Sequence, residues 1–499
     1  MCWPSVGAHP NRMAPPLDLR ALVALQLVDV ERELDDEPLQ VVEGELPQGL
    51  HGTLYRNGPG RFARGSVPFG HPFDGDGHVV AVRIADGRAA VRSRFVSTRE
   101  LAEEEAAGRM LYRGFGTQRP GGLFANAFRM RFRNAANTNI VFHAGKLRAL
   151  WEGGSPHLLD ARSLATLGED DLSGLLAPRG ALRALGAAQT FSAHPRHDAV
   201  TGELWNFGLR WGLGQSLMIY VLDPAGQARV VAEHPLRELS FIHDMALTSR
   251  FVVIAAPAVR FDVARMLFGM ASPLRGLHSR DGEPLAVWLI PRTGGAPICI
   301  PGPPGFAFHI AGAFDLPDGG VVCDLALMPG LPDLEHVART MGPGADGSAL
   351  GVLTRLRIDP VARRVRTEVV SDLAVEMPAT AVPSPHAYTD VWSVAVPPGR
   401  RQPYHSALTR ITPGGQGHAL RDLFPALPSE PVLVPRPGAR DDADAWLLAL
   451  LHHPGAATEL LVLDAATLET QARARFPIAI PPGLHGSWVG RRSPGGRSM

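Results

Sequence analysis

The chain has 499 residues, with 49 Lys plus Arg against 49 Asp plus Glu, so no basic field argues for nucleic acid as a partner. Its 3 cysteines, Cys2, Cys299 and Cys323, are scattered and odd in number, which argues against a disulfide framework or a thiolate metal site and fits a reducing compartment. Lys146 is the single lysine, which removes Schiff-base chemistry from the rest of the chain, and no apolar run approaches the ~20 residues needed to span a bilayer.

The start, Met1-Cys-Trp-Pro-Ser-Val, lacks the basic residues and apolar core of a signal peptide, and Met13 is an alternative initiator. A cytoplasmic protein, free or lying on a membrane surface, is expected. Residues 17–34 (LDLRALVALQLVDVEREL) follow Pro15-Pro16 and predict an amphipathic helix inside an N-terminal extension, residues 1–45. From Leu46 the texture changes to short apolar runs broken by Gly, Pro and Asp. Hairpins are predicted at 79–84 with 89–96, 139–142 with 147–151, 217–222 with 228–232, 352–358 with 365–370, and 460–463 with 467–474. Helices are expected only as insertions, at 172–185 and 335–341. Serial hairpins with so few helices predict an all-β sandwich, barrel or propeller, with residues 46–495 forming a single domain.

One stretch stands out: Phe241-Ile-His243-Asp244-Met-Ala-Leu-Thr248, a histidine placed where an apolar strand should end, ahead of a second strand at 251–254. A buried histidine is most often a satisfied core residue. Three others share its setting: His194 in Phe191-Ser-Ala-His-Pro195, His309 in Phe306-Ala-Phe-His-Ile-Ala311, and His485 in Gly483-Leu-His-Gly-Ser-Trp488. Their separations exclude local metal motifs, so distant strands must meet if these four do. Three glutamates, Glu152, Glu376 and Glu430, lie near strand ends among apolar residues. Interleaved with the histidines they stand at 152, 194, 243, 309, 376, 430 and 485, in steps of 42, 49, 66, 67, 54 and 55 residues. Propeller blades take ~40–50 residues plus loops, so this series suggests one inward polar group per blade of a seven-bladed β-propeller.

Two rival motifs fail on context. Gly58-Pro-Gly60-Arg-Phe-Ala63 has the glycine spacing of a dinucleotide site without a following helix, and Asp74-Gly-Asp76-Gly77 opens like a calcium loop whose twelfth position is Ala85. His71, His197, His452 and His453 lie outside the spaced series and are expected to be surface or structural. Trp151, Phe124 and Trp488 are expected in the core, whereas Phe241 and Phe308, within two residues of histidines, are candidates for a substrate wall.

The chain resembles the carotenoid cleavage oxygenase family from about Leu46 to Val489. The resemblance is carried by Gly52-Thr-Leu-Tyr-Arg-Asn-Gly-Pro-Gly60, His71-Pro-Phe-Asp-Gly-Asp-Gly77, Asn137-Thr-Asn139 and Ala149-Leu-Trp-Glu152, then by Ala193-His-Pro195, Ile242-His-Asp244, Phe308-His309, Glu430-Pro431 and His485-Gly486. It implies a seven-bladed propeller capped by a dome of loops and helices, with Fe(II) on the axis. It also implies that His194, His243, His309 and His485 bind the iron, with Glu152, Glu376 and Glu430 behind His243, His309 and His485 and no glutamate behind His194. Gly312 departs from the family pattern, where Asn is usual three residues after the third histidine.

These residue types suit the implied chemistry. Neutral imidazoles leave iron its full charge and, in octahedral geometry, two open positions. A carboxylate behind each ring fixes the tautomer and orientation. The implied activity is O2-dependent cleavage of a C=C bond in a lipophilic carotenoid or apocarotenoid, with polyene isomerisation, stilbene cleavage and a non-catalytic binding propeller as alternatives. Stilbene-cleaving members are expected to carry a lysine directly before the first glutamate; here Trp151 holds that place. Met266, Leu267, Phe268, Met270 and Leu274, with Arg265 and Arg275 beside them, have the composition of a membrane-contact segment.

Overall fold

Short apolar runs separated by tight turns fold here into antiparallel meanders. The computed structural model describes residues 28–177, 189–211, 215–280, 282–335, 350–400, 404–415 and 417–491. At the first hairpin, Asp86 and Gly87 both take positive φ (52° and 69°), the two-residue turn whose twist suits a β-hairpin; Ala144 and Gly145 repeat it.

The first sheet orders Leu34–Pro38, Arg88–Phe95, Gly77–Ala85, Gly52–Pro59 and Gly486–Gly490, so its last strand comes from the far end of the chain. Three four-stranded sheets follow, within residues 139–169, 196–236 and 246–304. A seven-stranded sheet then runs from Ile310–Asp315 to His418–Asp422. It consists of two meanders sharing the long strand Arg364–Ala379, whose first part pairs with Val352–Asp359 and whose end pairs with Val391–Ala395. The last sheet orders Gln40–Gly44, Thr470–Arg475, Glu459–Asp464 and Ala445–His452, with Leu427–Pro428 and Val432–Pro435 both pairing with the last of these.

Strands buried on both faces read as continuous apolar runs because alternate side chains serve two cores. Val80, Val82 and Ile84 pack against Trp446, Leu448 and Leu450 of the last sheet, while Val79 and Ala81 pack against Ile140 and Leu147 of the second. Likewise Val252 and Ile254 face Phe207 and Ile219, and Val253 and Ala255 face Ile310 and Val321. Each sheet thus packs on the next in sequence, and the last packs on the first. Fully burying one such valine, leucine or isoleucine contributes about 1.5–3 kcal/mol.

Few helices are present among the described residues. Arg99–Ala107, Gly122–Asn126 and Val263–Leu267 lie in connections between strands. Buried Arg113 ties two of these segments together, donating to the carbonyls of Asn126, Arg129, Met266 and Ala271. The helix expected over 17–34 falls mostly on residues 1–27, outside the described residues. Its final part departs from expectation: residues 28–33 are irregular and Leu34 begins a strand, where Leu34 itself is fully buried in the first core. The helix expected at 172–185 is turns over 172–177 and otherwise lies outside the described residues, as does the one at 335–341 beyond Glu335. No helix of the described residues is long and apolar enough to cross a membrane.

Candidate metal centre

The four histidines share one structural address. His194, His243, His309 and His485 lie one to three residues before the strands Arg196–His197, Ala246–Leu247, Ile310–Asp315 and Gly486–Gly490, each an edge strand of its sheet. His243 differs from expectation in that Phe241–His243 is irregular backbone rather than a strand end. Ring nitrogens of all four lie within 4.8 Å of one another, and ring centroids are 4.4 Å (His194, His243), 4.6 Å (His194, His485) and 4.9 Å (His309, His485) apart.

An Arg–Asp pair gathers the loops. Asp244 accepts from Arg196 Nη2 at 2.9 and 3.0 Å, from Ile310 N at 2.7 Å and from Met245 N at 2.7 Å, while Arg196 also donates to the carbonyls of Met245 and Ile310. Those residues neighbour His243, His309 and His194. Three of the four histidine-bearing segments are therefore joined through one buried carboxylate, a role for Asp244 and Arg196 that sequence reasoning missed although Asp244 sits in the most prominent motif.

His309 Nδ1 donates to Glu376 Oε2 at 2.5 Å, and His485 Nδ1 donates to Glu430 Oε1 at 2.9 Å. Because a carboxylate only accepts, each Nδ1 carries the proton and each Nε2 keeps its lone pair toward the cluster. Glu430 also accepts from Arg56 Nη1 and Gly486 N, both at 3.0 Å. Glu376 sits at a register shift beside Met377, a non-glycine residue at φ 50°, whose N–H also donates to the Glu376 carboxylate. Glu152 is placed differently from the expected pairing. Its Oε1 is 3.7 Å from His243 Nδ1 and 3.4 Å from His194 Nε2, beyond a hydrogen bond to either, while Ser192 Oγ donates to Oε2 at 3.3 Å.

The charges follow these partners. Burial works against ionising Glu430, yet His485 and Arg56 bring its pKa down to about 2; burial likewise opposes Glu376, which His309 holds below the usual carboxylate value. Glu152 lacks such donors, and burial reinforced by Asp244 pushes it up to about 8. Burial and then the neighbouring rings push His194 and His243 well below the ordinary imidazole value, so both are neutral and able to ligate. His309 is the exception: burial opposes its charge, but Glu376 outweighs burial and raises it.

A single cation fits this set. Nitrogens bound at about 2.1 Å in an octahedron stand about 3 Å apart when adjacent and a little over 4 Å when opposite. Among the described residues His194 Nε2 and Glu152 Oε1 are buried without a hydrogen-bond partner, a costly arrangement that a positive ion at the cluster would offset. The set is all imidazole, with the acids held one layer back.

Two cavities meet at the histidines. One, about 430 Å³, is walled by Phe73, Phe115, Trp151, Phe241, Phe261 and Phe308 and reaches His243, His309 and His485. Phe308 meets His243 edge-on at 5.3 Å, and Phe306, Phe308 and Phe241 pack in series behind it. The other, about 230 Å³, is polar and bounded by edge-strand residues such as Asn139, Arg196 and Ser487 together with Asp244, and it reaches His194, His309 and His485. Phe241 and Phe308 line the apolar cavity, and so does Trp151, whose ring offers an apolar surface there rather than a place in a core. Phe124, also expected in the core, is 98% exposed.

Other positions are explained locally. At Gly312 a Cβ would come within 2.8 Å of Tyr388, whose hydroxyl donates to the Gly312 carbonyl and to Asp324; the missing side chain makes room for that ring. His71 is buried, with Nδ1 accepting from Phe73 N. Cys299 and Cys323 are free thiols. In the segment expected to touch a membrane, Met266 and Leu274 are instead buried, while Phe268 and Met270 are exposed, Phe268 meeting exposed Phe128 edge-on at 5.5 Å; Leu123 and Phe124 are exposed as well.

Comparison with known proteins agrees with this geometry. The family described as retinal pigment epithelial membrane protein matches residues 27–490. The apocarotenoid-15,15'-oxygenase of Synechocystis sp. is 35% identical over 463 residues, covering 90% of this chain and 92% of that protein. Resveratrol cleavage oxygenase 1 of Aspergillus fumigatus is 30% identical, covering 92% and 93%. The crystal structure of cobalt-substituted Synechocystis ACO superposes with a TM-score of 0.86 at 33% identity, covering 95% and 99%. The chain belongs to the carotenoid cleavage oxygenase family. Within it, it is similar to the apocarotenoid oxygenase and, at lower identity, to a stilbene-cleaving member.

Proposed function

We propose that this chain is a nonhaem iron(II) dioxygenase that uses O2 to cleave a C=C bond of a carotenoid or apocarotenoid into two carbonyl products. The observation that carries it is the four-imidazole cluster bordering an apolar cavity walled by aromatic rings. In this reading His194, His243, His309 and His485 hold Fe(II), and Glu152, Glu376 and Glu430 steer their rings. Glu152, with Oε1 3.7 Å from His243 Nδ1 and 3.4 Å from His194 Nε2, is the acid that would orient His243. Iron(II) bound there would supply the redox chemistry that lets dioxygen react with a double bond. The aromatic walls hold the polyene in line and exclude water, and no acid–base side chain is needed at the reacting carbons.

The architecture fits a seven-bladed propeller. The shared strand Arg364–Ala379 divides the seven-stranded sheet into two, making seven meanders, and consecutive meanders pack face to face with the last against the first. The edge strands then surround the polar cavity as an axis, and the segments joined by Arg113 form the dome in one domain. The exposed apolar patch of Leu123, Phe124, Phe128, Phe268 and Met270 is where such a protein would lie on a bilayer and collect its substrate. Free Cys299 and Cys323 suit a reducing compartment.

The stilbene reading draws support from the Aspergillus fumigatus relative. Against it, Lys146 is exposed at a hairpin end away from the cavity, and Trp151 occupies the wall. The test is anaerobic purification and metal analysis, then incubation with Fe(II), 18O2 and a panel of apocarotenoids and stilbenes. Two carbonyl fragments from an apocarotenoid, each carrying label, are expected. Protein without stoichiometric metal binding would favour a non-catalytic propeller, and faster turnover of stilbenes would overturn the substrate assignment.

A further inference from the structure

The residue after the first candidate glutamate is shaped by a neighbouring ring rather than by its own backbone. Trp151, Glu152 and Gly153 line the apolar cavity together, on the turn that follows the strand Lys146–Leu150. Gly153 does not take a positive φ, so its conformation is one that alanine adopts without strain. A Cβ there would nevertheless lie 2.5 Å from Cζ3 and from Cη2 of Trp151 and 3.2 Å from Cε3, and these are its three nearest neighbours. The indole therefore folds back over its own turn, where it also comes within 3.3 Å of the Cβ position at Gly154. The turn itself is pinned. Leu150 O accepts from Thr138 N at 2.9 Å, Gly154 O from Phe191 N at 3.1 Å, and Ser155 O from Asn134 Nδ2 at 2.8 Å. Carbon atoms pack comfortably only from about 3.5 Å, so a side chain at position 153 would displace the ring by about 1 Å. Trp151 is half-buried, and the cavity it lines is the open space beside it, so the displaced ring narrows the cavity.

We infer that Gly153 is a positioning residue for substrate specificity: it lets Trp151 lie against the turn and so keeps the cavity wide enough, next to Glu152, for the methyl branches of an isoprenoid polyene. This rests on the polyene reading above and deepens it. An unbranched conjugated chain presents only its thin π-system and its hydrogens to the wall, whereas each methyl branch projects a further carbon from the edge of the chain. Moving the wall inward by the displacement above therefore penalises the branched chain and largely spares the unbranched one. Overpacking on that scale lowers binding by about 10-fold or more.

The test is a double-mutant cycle of Gly153→Ala and Trp151→Leu on the iron-loaded protein, held anaerobic so that binding is read without turnover. The probes are a methyl-branched polyene aldehyde and its unbranched counterpart of the same chain length. Quenching of tryptophan fluorescence reports Kd, and with 8 tryptophans in the chain the signal survives replacement of one. Gly153→Ala is expected to weaken the branched ligand by about 10-fold or more and the unbranched one by less than about threefold. In the Trp151→Leu background, where the obstructing ring is gone, the same change should alter either Kd by less than about threefold. Cobalt(II) affinity should stay within about twofold, since the ring and not the Glu152 carboxylate moves. An equal loss for both ligands, a loss that persists in the Trp151→Leu background, or a fall in cobalt affinity would each overturn the inference. If Gly153→Ala does not fold, the double variant decides: a folded protein shows the ring to be the obstacle, and an unfolded one overturns the inference. A selective loss in Kd with no cleavage of any polyene in air would overturn the dioxygenase reading and leave the role of Gly153 standing; no saturable binding of either ligand would overturn that role.

Discussion

Replacing Glu430 by glutamine tests whether a buried carboxylate holds a metal-binding ring in its working tautomer. Glu430 accepts from His485 Nδ1, Arg56 Nη1 and Gly486 N at once. Glutamine offers one acceptor and one donor in the same space. With its oxygen toward His485, its N–H group faces the Gly486 N–H and the Arg56 guanidinium, donor against donor. With the oxygen toward Arg56, its N–H group meets His485 Nδ1 and drives that proton to Nε2, where the lone pair for the metal has to be. Loss of such an outer hydrogen bond costs ~10–100-fold in metal affinity. Breaking a buried ion pair costs about 3–5 kcal/mol; with the Glu430 side chain 19% exposed, about 2–3 kcal/mol is the better expectation. Cobalt(II) titration followed by visible absorption measures the first effect, and urea unfolding of the metal-free protein measures the second. Affinity within twofold of the natural protein, with an unchanged urea midpoint, would refute the reasoning.

Three further outcomes are expected. Asp244→Asn should lower metal occupancy about 10-fold while the β-sheet circular dichroism stays unchanged, because it loosens the tie among the segments of His194, His243 and His309 rather than a sheet core; full occupancy would show the tie to be dispensable. Phe124→Glu with Phe268→Glu should abolish flotation with liposomes and spare turnover of detergent-dissolved substrate, since both side chains are solvent-exposed; undiminished flotation would remove the patch from the account. Burial holds His71 at about 4 and His78 at about 3 against the usual 6.5, so between pH 6.5 and about 4 the unfolded chain binds more protons than the folded one. Stability should therefore fall as the pH is lowered across that window, by up to about 1.4 kcal/mol per unit for each ring, and His78→Gln should flatten the profile of urea midpoints.

The four histidines were legible because each repeats one local pattern, apolar run, histidine, then small or turn-forming residue, which marks the entry to an edge strand. The hairpins were legible because paired positive-φ turns such as Asp86-Gly87 punctuate apolar runs. What escaped depends on distance through space. Nothing around Arg196 reveals that it meets Asp244, and nothing near His452 announces the cavity it lines. Met266 and Phe268 have similar local composition, yet one is fully buried and the other 48% exposed, because tertiary packing around Arg113 decides which side faces water. Phe124 misled for the converse reason: an aromatic residue defaults to the core unless a surface needs it.

His485 immediately precedes Gly486–Gly490, the strand that pairs with Gly52–Pro59, and Gln40–Gly44 in turn pairs with Thr470–Arg475. The two ends of the chain are thus latched to each other twice, and the last ligand candidate sits on the latch. During synthesis His194, His243 and His309 leave the ribosome long before His485 does, so the four imidazoles cannot come together until the chain through residue 485 has been released. Binding of a metal by all four would thereby be a late event, conditional on closure. A truncation just before residue 485 would remove the donor and the closing strand together, and a nascent chain stalled upstream would present at most three imidazoles, an incomplete set.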